Sequence, residues 1–137
     1  MGHLAPPCRK GDKAMKNYEV DVYERYSHGK YGKEHYMGWR LSDTSAKNAA
    51  AFGYEILAGM TYREAFEGLA WDLASKRVYR DEEIEEAGSH RAAEEAYADW
   101  LVWNWSRVWD KTPADTIGIE DAYNHFTVKA AWDGTRD

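Results

Sequence analysis

The chain has 137 residues, 44% apolar and 15% aromatic, with a formal net charge of −6. That length suits one compact domain with its own core, and the apolar share argues against disorder throughout, despite 31% charged residues. Cys8 is the single cysteine, which excludes an intrachain disulfide and a cysteine-built zinc site and suits a reducing compartment.

Charge is unevenly placed. Residues 1–40 carry eight Lys/Arg against five Asp/Glu, whereas residues 41–137 carry ten against nineteen. Eight acids and one arginine fall within residues 81–99 alone. Nucleic-acid binding through a basic face is disfavoured, because affinity there rests on neutralising phosphates. A basic partner surface, or an acidic mimic of nucleic acid that blocks a DNA-binding protein, fits the balance better.

Residues 1–16 read as an arm, with Pro6-Pro7, Gly11 and little to bury, leaving 17–137 as a single domain. The arm has no apolar stretch of signal-peptide length, and Pro6 breaks the myristoylation pattern. No apolar run approaches the roughly 20 residues of a membrane span. A soluble, cytoplasmic chain without membrane contact is expected.

From Asn17 the period is two: Tyr18, Val20 and Val22 alternate with Glu19 and Asp21, and Met37, Trp39 and Leu41 with Gly38 and Arg40. These segments predict a β-hairpin. Its tip carries Lys30, Tyr31 and Lys33 between Gly29 and Gly32, a weak polyanion site without Walker A spacing. The same lysines serve equally to discourage edge pairing. His28, His35 and Glu34 lack a further fixed ligand, so no metal and no cofactor is expected.

Helical periodicity begins after Ser42-Asp43-Thr44, with Ala46, Ala49, Ala50, Gly53 and Leu57 on one face and Gly59 at the expected end. So small a face lets another element approach closely. Thr61-Tyr62-Arg63-Glu64 is a capping box. Tyr62, Phe66, Leu69 and Leu73 follow on one stripe, with Trp71 nearly opposite and in need of cover. A short helical segment should end at Gly88, and Ser89 should cap a long helix over about 90–110. After Thr112–Thr116 a last helix is expected, with Ile119, Ala122, Tyr123, Phe126 and Ala130 on one stripe and Gly134 near its end. The prediction is an α+β fold: an N-terminal β-hairpin followed by about four helices, the central one Trp-rich.

That central helix holds Trp100, Trp103, Trp105 and Trp109 within ten positions. With Trp100 at 0° on a helical wheel, Trp103 falls near 300°, Trp105 near 140° and Trp109 near 180°. A buried tryptophan hides up to roughly 250 Å², and ordinary monomers rarely expose an apolar patch above about 300–600 Å². All four rings are therefore expected to be covered. The cover is the domain itself, a second copy (a dimer being the favoured oligomer), another protein, or a small apolar or cationic ligand held in an aromatic cage. Asn104 and Arg107 interrupt the apolar arc, and Arg107 is expected to reach water from its edge.

Nothing assigns catalytic residues. Glu64 is used by its cap, Glu67 and Asp72 are five apart and share no face, and Cys8 has no defined base. The reading is a non-catalytic binding protein that self-associates through Trp71, Trp100, Trp103, Trp105, Trp109 and Arg107. The alternative is an enzyme or small-molecule-binding protein, its pocket lying between hairpin and helices and lined by Trp39, Tyr54 and the helix tryptophans.

Overall fold

A computed structural model describes residues 15–25 and 35–136. The hairpin tip with Lys30, Tyr31 and Lys33, and most of the arm, lie outside the described residues. Strand β1 (Lys16–Glu24) pairs antiparallel with β2 (His35–Asp43), as the alternation predicts. Helices α1 (Ala46–Leu57), α2 (Tyr62–Lys76), α3 (Asp81–Ala87), α4 (His90–Val108) and α5 (Ile119–His125) follow. The α+β class holds.

The end of the chain departs from expectation. The helix predicted to run through Phe126 and Ala130 stops at His125, and Phe126–Arg136 becomes strand β3. Residues 126–130 satisfy both periods, because Phe126, Val128 and Ala130 also alternate with Thr127 and Lys129. Tertiary pairing decides between them. β1 has a second edge to fill, and β3 fills it antiparallel, giving the sheet order β2-β1-β3. The cross-strand row Val128–Val22–Met37 then faces the helices.

A β-bulge sets one further core residue. Val22 opposes Met37 and Tyr23 opposes His35, which leaves Tyr36 as the extra residue of β2. Alternation alone would turn Tyr36 away from Met37's face, but bulges re-aim side chains. Tyr36 is buried against Phe66 of α2 and Trp105 of α4.

The helix starts follow their signals. Thr61 Oγ1 accepts from the Glu64 N–H at 3.1 Å while the Glu64 carboxylate accepts from the Thr61 N–H at 2.9 Å. Ser45, one residue beyond the predicted stretch, caps α1, and Ser89 caps α4. Gly88 turns α3 back onto α4 with φ of 103°. Among the described residues no helix is long and apolar enough to cross a membrane.

The small face of α1 does what its composition implies. A Cβ on Gly53 would stand 2.8 Å from Val128 Cγ1 and 2.9 Å from Val20 Cγ1. Both are stiff β-branched side chains at the sheet's centre. Gly53→Ala gains about 1 kcal/mol of helix propensity but overpacks a closed contact, which costs typically about 1–3 kcal/mol. The expected outcome is net destabilisation, read as a lowered denaturant midpoint with unchanged slope. Gly59→Ala, with open space around its Cβ, should be neutral or stabilising in the same assay.

Candidate binding groove and its surroundings

Helix α4 has one buried side, not an enclosed circumference. Ala98, Leu101, Val102, Trp105 and Ser106 are buried, and Trp109 is partly buried against the core. Trp100 is 57% exposed and Trp103 48% exposed. Of the covers expected for the four rings, the domain itself supplies that of Trp105 and most of Trp109, and leaves Trp100 and Trp103 open. The reason is placement: α4 packs on α2 along one side, and α3, only seven residues long, overlies part of another. Periodicity locates apolar residues on a wheel but cannot count the neighbours available to cover them.

Between α3 and α4 lies a groove of about 360 Å³, lined by Arg77, Tyr79, Glu83, Glu86, Tyr97 and Trp100 with small alanines between. That volume falls at the lower end of ligand sites, about 300–1,000 Å³. Its wall is a graded stack. The Arg77 guanidinium lies 4.7 Å from the Tyr79 ring and 4.6 Å from the Tyr97 ring. Tyr97 in turn stacks on Trp100 at 5.7 Å and 22°. Tyr79 is fixed from below, donating its O–H to the Ala74 carbonyl at 2.7 Å.

The charge in the groove is held by hydrogen bonds. Glu83 accepts from the Arg80 backbone N–H at 3.0 Å and from Arg77 at 3.1 Å. The backbone bond first and Arg77 second hold its carboxyl below the usual range. Arg77 is thus bound on its edge by a carboxylate and lies against two aromatic rings set nearly perpendicular to each other, the kinds of contact a guanidinium takes best. Glu86, exposed at the rim, has no ion pair among the described residues.

Beyond the groove the same side of α4 continues as an open shelf. Asn104 donates to the Trp100 carbonyl at 2.6 Å and accepts from Arg107 at 2.9 Å. Arg107 is exposed, as expected of a side chain reaching water. Trp100, Trp103 and Arg107 therefore share one face, while Trp105 and Trp109 lie on the buried side. Trp71 stands apart, half-buried, its ring covered by the Arg91 guanidinium at 5.1 Å.

Trp39 and Tyr54 belong to the sheet side. Trp39 approaches Gly53, and Tyr54 stacks on Tyr123 at 4.0 Å and 18°. The Tyr54 hydroxyl accepts from the Val128 N–H at 3.1 Å and donates to the Phe126 carbonyl. Neither residue joins the α4 tryptophans, and the groove described above is bounded by α3, α4 and the connection 77–80 before α3.

A second cluster was not legible in the sequence. His125 closes α5, stacks on Trp109 at 4.1 Å and 12°, and takes the Tyr62 hydroxyl at Nδ1 at 2.9 Å. Asp121, one turn earlier, stands 3.9 Å from Nε2. Burial, then the Asp121 and Asp115 charges, push the Tyr62 phenol well above its ordinary range. Burial first, and Lys111 as well, lower the His125 pKa against the opposing pull of Asp121. The pair is an imidazole and a phenol sharing one hydrogen bond, with Tyr62 fully buried. It ties α2, α4 and α5 together. The Asp121–His125 spacing of i, i+4 was its one sequence signal; Tyr62 lies 63 residues away.

Among the described residues no three His, Cys, Asp or Glu side chains gather as a metal site. No family model matches the chain, and no curated protein or solved structure gives a significant match.

The His125 shift has a sign. The unfolded chain takes up a proton near the ordinary histidine pKa of about 6.5, and the folded chain resists it to lower pH. Stability from this residue is therefore complete above that value and lost as pH falls through the window below it. Urea midpoints measured from pH 7.5 to 5.0 should decline for the native chain, and His125→Gln should flatten that decline. An equal slope in both would show that His125 is not responsible.

Proposed function

We propose that the protein is a non-catalytic binding protein whose partner is a second copy of itself, joined through the open face of α4. One observation carries the reading: Trp100 and Trp103, one turn apart, are each about half exposed on a helix whose opposite side is core. Tryptophan is the side chain most enriched where binding energy concentrates, and two such rings side by side are a poor surface to leave in water. Polar and charged residues flank them, with Glu95 and Asp99 on one side and Asn104 and Arg107 on the other. An apolar centre with a polar rim is the anatomy of a protein interface.

The groove offers a second reading, in which its aromatic wall holds a small cationic or apolar molecule. With one cysteine in the chain, we place the working compartment as the cytoplasm.

Sedimentation over about 1–100 µM should show mass rising from one chain towards two. Trp100→Ala with Trp103→Ala should hold the chain monomeric across that range, a loss of at least about 100-fold if each ring contributes as interface hot spots do, about 2 kcal/mol or more. Because both rings are exposed, the melting temperature of the dilute protein should barely change. A native chain that stays monomeric at the top of the range would defeat the reading.

A further inference from the structure

The groove and the shelf lie on one side of one helix, and they are complementary. The groove already receives a guanidinium, its own Arg77, between Glu83 and the Tyr79 and Tyr97 rings. The stack does not end there: Trp100 continues it outward, 57% exposed, and the Glu86 carboxylate, which has no ion pair among the described residues, lines the same groove. A second guanidinium can lie on Trp100 and bond Glu86, repeating what Arg77 does one ring further in. Arg107 has that guanidinium. It sits two turns from Trp100, about 10 Å along the same face, exposed and, among the described residues, bonded to the Asn104 side chain alone.

We infer that in the self-associated protein the α3–α4 groove of each copy receives Arg107 of the other, with the two α4 helices antiparallel about a twofold axis near Trp103. This rests on the self-association proposed above and specifies how it is made. A twofold interface uses the same surface twice, so whatever meets Trp100 must be matched by Trp100 meeting its equivalent. Setting Arg107 against Trp100 puts the axis between residues 103 and 104 and brings the two Trp103 rings together at the centre.

Charge selects this direction. The half of the helical hairpin before Trp100 carries eight acids and one arginine between residues 81 and 99, whereas the exposed charge in the part of α4 after Trp100 is Arg107. A parallel pair would lay acidic half on acidic half and Arg107 on Arg107. The antiparallel pair lays each acidic half against the other copy's Arg107, and like charges separate.

The test uses the full chain carrying Cys8→Ser, with sedimentation for affinity and oxidation for direction. Arg107→Ala should weaken the dimer about 10-fold or more, and Arg107→Lys should restore little, since an ammonium neither stacks nor forks as a guanidinium does. Glu86→Gln should weaken it in the same direction. Chains with Ala96→Cys should not cross-link to each other, because the antiparallel pair sets the two residues 96 on opposite sides of the axis. Unchanged affinity in Arg107→Ala, or disulfide dimers of Ala96→Cys alone, would overturn the inference while leaving self-association standing. Loss of dimer only in Trp100→Ala with Trp103→Ala would do the same. A native chain that never dimerises would remove both. All these positions are exposed or half-exposed, and an unchanged circular dichroism spectrum identifies folded variants.

Discussion

Three rings, Tyr36 from β2, Phe66 from α2 and Trp105 from α4, meet with their centroids between 5.0 and 5.7 Å of one another. Two of the three contacts are edge-on, the arrangement that the charge distribution of aromatic rings favours. This junction decides which way α4 faces. With Trp105 turned inward, helical geometry leaves Trp100 and Trp103 no direction but outward. The exposed face, the groove beside it and the proposed association are all consequences of where Trp105 is seated. Trp105 can be seated there because a bulge turned Tyr36 to meet it.

Much of this was legible in the residues. The alternation of β1 and β2, the Thr61–Glu64 box, the Ser89 cap and the close approach at Gly53 each follow from local chemistry, and the chain uses them as that chemistry requires. The failures share a cause. Phe126–Ala130 fits a helix and a strand alike, and only the open edge of β1, over a hundred residues away, selects the strand. The four tryptophans declare a need for cover, but how much cover exists depends on the length of α3 and the path of α2. The Tyr62–His125 bond and the Arg77–Tyr97 contact join residues that no period relates. Local rules placed the elements; long-range contacts placed the candidate site.

The acidic run shows how one segment takes several roles. Glu83 is consumed in holding Arg77 and the start of α3, and Glu94 and Glu95 lie one turn from His90 and Arg91. Asp81, Glu82, Glu85 and Glu86 remain outward on α3, a helix with no buried residue. So short a helix is marginal alone, and what holds it is the chemistry at its start and the glycine at its end. The negative field near Trp100 is therefore fastened to the fold at two points.

The Tyr54 hydroxyl has a role that reaches beyond its own hydrogen bonds. β3 is an outer strand, and Phe126 and Val128 direct a carbonyl and an N–H away from the sheet. Exposed groups of this kind are a template on which another chain adds as a fourth strand, and then another, without limit. By accepting one and donating to the other, a single phenol reproduces one residue of a neighbouring strand and ends the ladder there. At that position a further strand finds the carbonyl and the N–H already taken.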